Sequence, residues 1–81
     1  MRSTHSAAYQ CLLGRLRQAR LDACLTQAEV GRRIGLRPAF VSKVESGERR
    51  LDPVELARFA AIYGKPLGWF LGSHDAAEGR G

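Results

Sequence analysis

Apolar residues recur along this chain at helical spacing. From Ala8 to Ala23, Leu12, Leu13 and Leu16 gather on one side while Arg15, Arg17 and Gln18 lie largely elsewhere, as an amphipathic first helix requires. Thr26 and Glu29 then carry the S/T-x-x-E spacing of a capping box, which starts a second helix over 27–34. Its Ala28, Val30 and Ile34, with the small Gly31, suit one buried face, while Arg32 and Arg33 turn outward. Gly35 stops it, because glycine takes the left-handed conformation at little steric cost. Pro38 pre-sets the first turn of a third helix reaching Glu45, with Val41 and Val44 at i and i+3. Asp52-Pro53-Val54-Glu55 repeats the start grammar, and Leu56, Phe59, Ala60 and Tyr63 follow as a core-facing stripe. Gly64 ends that fourth helix, and Pro66 opens a short fifth one holding Leu67, Trp69, Phe70 and Leu71. Residues 1–7 show no such period and are expected to be a flexible arm; 73–81 are polar and small, a disordered tail.

Helices as short as the second and third are marginal alone, so their neighbours must supply packing. With 81 residues there is room for one domain and a single small core. The formal charge of +5 gains meaning from its placement, since residues 15–50 hold nine Lys or Arg against four Asp or Glu. A basic patch attracts polyanions, nucleic acid above all, although many charge runs are only solvated surface. Cys11 and Cys24 form no CxxC and have no clustered histidines near them, which suggests reduced thiols and neither zinc nor redox chemistry. His5 and His74 are isolated. No nucleophile–base pairing, carboxylate cluster or phosphate loop is evident, so neither an enzyme nor a cofactor is expected. No apolar run approaches a membrane span, and a cytoplasmic location is expected.

The run T-Q-x-E-V-G-x-R-I-G-L, followed by V-S-K-V-E-S-G-E-R-R-L, resembles the helix-turn-helix regulators of the Cro and lambda-repressor type. The resemblance extends from about Leu13 to Leu71. It implies an all-α, compact five-helix DNA-binding domain over 8–72, with the helix-turn-helix formed by the second and third helices. Gly31 falls where the family keeps a small residue, and Gly35 falls at the turn. Cys24 is a departure, standing where related sequences often end the first helix with glycine. By correspondence, Arg20 pairs with Glu45 and clamps the first helix to the recognition helix, leaving spare N–H groups for a phosphate. Gln27 donates to a phosphate at the positive end of its helix. One of Arg32 and Arg33 reaches a phosphate while the other is solvated, and Arg49 or Arg50 touches phosphates beyond the groove.

Base contact falls by the same resemblance to Pro38, Ala39 and Lys43, with Arg37 and Ser42 beside them. Proline and alanine offer only apolar contact, for example to a thymine methyl, so hydrogen-bonding readout leans on Arg37 and Lys43. Both cations favour guanine, which implies at least one G in each half-site. Phe40 either packs into the core, the favoured reading, or lies against backbone sugars. Leu67, Trp69 and Phe70 are candidates for a homodimer interface; alternatively both rings close the core. The implied function is a sequence-specific, homodimeric repressor on a palindromic operator in double-stranded DNA. The rival is an antitoxin or adaptor that holds a protein partner through the last helix. A contact with RNA polymerase or a toxin stays open.

Overall fold

The computed structural model describes residues 6–71, and its elements are α1 (Ala7–Asp22), α2 (Gln27–Ile34), α3 (Pro38–Ser46), α4 (Pro53–Tyr63) and a closing helix α5 over 67–71. All regular structure among the described residues is helical, and none of these helices is long and apolar enough to cross a membrane. Ser6 accepts the Tyr9 N–H at 3.1 Å and so caps α1, which places Ser6 and Ala7 in the helix start and not in an arm. The remainder of that arm, with His5, lies outside the described residues, as does the tail.

The starts of α1, α2 and α4 satisfy backbone donors that would otherwise be orphaned. Thr26 and Glu29 form the full capping box, with Thr26 N–H donating to Glu29 Oε1 at 2.7 Å and Glu29 N–H to Thr26 Oγ1 at 3.0 Å. Asp52 and Glu55 do the same for α4. The ends are equally regular: α2 and α4 close on Gly35 and Gly64 in left-handed conformation. Cys24 takes that conformation for α1, with φ of 60°. Leu25 N–H bonds Arg20 O at 3.1 Å and Cys24 N–H bonds Leu21 O at 2.9 Å, the paired bonds of a Schellman motif built without glycine.

The helices converge on one core. Leu16 of α1, Val30 of α2, Val41 and Val44 of α3, and Phe59 of α4 are its centre. Burying a side chain of this size contributes about 1.5–3 kcal/mol, which is what holds helices of eight and nine residues that could not persist alone. Phe40 packs at the edge of this core, its ring stacked on Phe59 at 6.3 Å. Phe70 is fully enclosed, 0% exposed, and this removes it from the expected dimer surface: on α5 its direction is the one that faces the core. Trp69 is half-buried and meets Phe70 edge-on at 5.1 Å.

Candidate nucleic-acid interface

The turn between α2 and α3 is built by close approach. Leu36 N–H donates to Gly31 O at 2.7 Å, and a Cβ on Gly31 would stand 2.7 Å from Leu36 O and 3.2 Å from Pro38 N. Only glycine lets the turn lie this near α2. The third helix therefore leaves the turn with Arg37 as its N-cap and Pro38 in its first turn. Arginine has no acceptor for a backbone N–H, and no side-chain cap bond forms there. Arg37, Pro38, Ala39, Ser42 and Lys43 are all exposed on α3 or at its entry.

Behind that surface, Arg20 Nε donates to Glu45 Oε2 at 2.7 Å and Arg20 Nη2 to Glu45 Oε1 at 3.1 Å. Arg20 Nη1 donates to Leu25 O at 3.0 Å. Three donor bonds thus tie α1 to the last turn of α3 and to the loop before α2. Glu45 raises the Arg20 pKa above its ordinary value, chiefly through this hydrogen bonding, so the guanidinium is charged at any physiological pH. Arg20 is only 9% exposed, which limits what it can offer a phosphate directly. Gln27 Nε2 donates to Glu45 Oε1 at 3.1 Å, so the same carboxylate orients the carboxamide at the α2 N-terminus. These residues line an open depression of about 530 Å³ together with Arg17, an exposed cation that the sequence pattern did not single out.

The cations divide into two groups. Among the described residues, no hydrogen bond or salt bridge engages the side chains of Arg17, Arg32, Arg33, Arg37 or Lys43. The others are held. Arg49 forks onto Glu55 at 3.1 Å by both Nη atoms and lies 4.5 Å from the Phe40 ring centre, while Arg50 lies 4.7 Å from that of Tyr9. Arg15 and Lys65 both approach the Trp69 ring, at 4.8 and 4.5 Å. Arg58 donates to Ile34 O at 2.6 Å and so satisfies a carbonyl at the negative end of α2. Sequence reasoning missed Arg58, because nothing local marks a residue on α4 as the partner of α2's last turn. It also missed Tyr9, whose hydroxyl accepts the Leu51 N–H at 3.1 Å.

The unpaired cations and the small side chains of α3 can meet a polyanion that also presents base edges, since a helix of this width fits the major groove. Cys11 and Cys24 are free and exposed, and no three His, Cys, Asp or Glu residues cluster to hold a metal among the described residues. A family model described as helix-turn-helix matches residues 16–70, from the middle of α1 to α5. No curated protein matches the chain.

Proposed function

The chain belongs to the helix-turn-helix family and is a DNA-binding regulator, and from that premise we propose that it is a homodimeric repressor reading a palindromic operator in double-stranded DNA. The observation that carries this reading is the contrast on α3. Arg37 and Lys43 are exposed and unengaged beside the apolar Pro38 and Ala39, while Glu45 behind them is locked to Arg20. Arg37 and Lys43 would read guanine O6 and N7, Pro38 and Ala39 would meet a thymine methyl, and Ser42 would add one adaptable bond. Gln27, one of Arg32 and Arg33, and Arg50 would hold phosphates, with Arg20 acting mainly by orienting Glu45 and Gln27.

The dimer is supported by size and by α5. Half-sites one helical turn apart are about 34 Å between centres, and the domain measures 40 × 30 × 20 Å, so two copies on one DNA face would meet. Leu67 and Leu71 lie four residues apart on α5, hence on one side of it, and each stays about half exposed. They replace Phe70 as the centre of the proposed interface. The test is selection of bound sequences from a random duplex library, with the mass of the free protein measured in solution. An inverted repeat with G-containing half-sites, bound by a dimer, is the expected result. Absence of enrichment would overturn the operator reading, and an unrelated chain bound through Leu67 and Leu71 would replace it with the antitoxin or adaptor role.

A further inference from the structure

Resting on the DNA-binding reading, we infer that Arg49 is a positioning residue for the recognition helix, and not one of its phosphate ligands. The edge of the guanidinium that would grip a phosphate is occupied. Nη1 donates to Arg50 O at 2.9 Å and to Glu55 Oε1 at 3.1 Å, and Nη2 donates to Glu55 Oε2 at 3.1 Å. This is the bidentate fork that arginine uses for phosphate, already filled by a carboxylate. Glu55 is itself fixed, because its Oε1 accepts the Asp52 N–H at 3.0 Å within the capping box of α4. As a neutral pair, Arg49 and Glu55 release few counterions on binding DNA.

What the arrangement does instead is orient α3. The Arg49 guanidinium lies 4.5 Å from the Phe40 ring centre, and Phe40 in turn stacks on Phe59 of α4 at 6.3 Å with the planes 7° apart. Arg49 N–H also donates to Lys43 O at 3.0 Å. Phe40 lies in the first turns of α3, beside Ala39 and three residues before Lys43. Held between a ring on α4 and a cation tied to α4, it sets the rotation of α3 about its axis. That rotation decides where Arg37 and Lys43 point. Lysine cannot replace arginine here, since an ammonium neither forks onto a carboxylate nor lies flat on a ring.

The experiment uses Arg49→Lys, which keeps the charge, with Phe40→Leu as a second variant and melting curves to establish that each folds. The probes are the duplex that the wild-type chain enriches from a random library and a scrambled duplex of equal length, titrated from 50 to 200 mM salt. We expect Arg49→Lys to lower the ratio of selected to scrambled affinity about tenfold, the scale of one lost base contact. Scrambled-duplex affinity and salt slope should stay at the wild-type values, and Phe40→Leu should behave alike. An unchanged ratio in Arg49→Lys would overturn the inference. Amide NMR spectra of the free chain give a readout that needs no DNA: Arg49→Lys should move the signals of Phe40, Val41, Lys43 and Phe59. Shifts confined to residues 47–51 would overturn it too. A wild-type chain that enriches no duplex would count against the operator reading alone, and the free-chain spectra would still decide the role of Arg49.

Discussion

Cys24 occupies the left-handed position that closes α1, where a side chain costs about 1–2 kcal/mol relative to glycine. It is exposed, so no packing offsets that strain. Glycine would remove the strain while adding roughly 0.5–1 kcal/mol of unfolded-state entropy cost. Cys24→Gly should therefore stabilise the domain by about 0.5–1 kcal/mol, seen as a rise of a few degrees in the thermal midpoint. Tyr63 carries the opposite kind of defect: its hydroxyl is buried with no hydrogen-bond partner among the described residues. Burial raises its pKa well above the ordinary value of 10.0, with the Glu45 charge adding to the effect. A raised folded pKa gives stability that is intact below the unfolded value and lost as pH climbs above it, here beyond about pH 10. Tyr63→Phe should match or exceed wild-type stability at pH 7, by up to about 1 kcal/mol, and should flatten the alkaline fall in a pH series of melting curves.

At the scale of the element, the helix-turn-helix depends on one contact between backbones. Gly31→Ala would place a methyl 2.7 Å from Leu36 O. Overpacking of this kind costs about 1–3 kcal/mol, against a gain of about 1 kcal/mol in helix propensity. The net loss should be roughly 1–2 kcal/mol in denaturant unfolding, and because the displaced atoms feed α3, DNA affinity should fall further than stability alone explains. Lys43→Ala tests the exposed face of the same helix. It leaves packing untouched and should relax base preference at one half-site position, costing about 1–3 kcal/mol on the selected duplex and little on others. Equal losses on all duplexes would reassign Lys43 to a phosphate.

For the whole molecule, the division of the cations into free and engaged sets predicts how binding responds to salt. One of Arg32 and Arg33 together with Arg50 gives two charged phosphate contacts per subunit and four per dimer, and affinity should then fall by roughly a hundred-fold between 50 and 200 mM salt. A titration with a shallow slope would count against these assignments. The apolar side chains of Leu67 and Leu71 belong to the same scale, since they matter only if a second copy covers them. Substituting both by Ser should convert the dimer to a monomer in sedimentation while leaving the melting curve near that of the wild type, because each is already half exposed.

Sequence alone determined the helices, their order and the caps of α2 and α4, because these are local: Thr26 and Glu29, Asp52 and Glu55, and Gly35 and Gly64 act within a few residues of themselves. It also determined which residues stand on the outer face of α3, since helical spacing around Val41 and Val44 leaves few choices. Tertiary structure decided which charges are available. Arg17, Arg33, Arg49 and Arg58 look alike in a sequence, yet Arg49 is forked onto Glu55 and Arg58 donates one bond to a carbonyl of α2, while among the described residues no hydrogen bond or salt bridge holds the side chain of Arg17 or Arg33. It likewise decided between neighbours on α5, enclosing Phe70 and leaving Trp69 half-buried among cations. The reason is distance along the chain. Caps and stripes join residues three or four apart, whereas Arg58 and Ile34 are 24 residues apart and Arg15 and Trp69 are 54 apart, and only the packed core brings such pairs together.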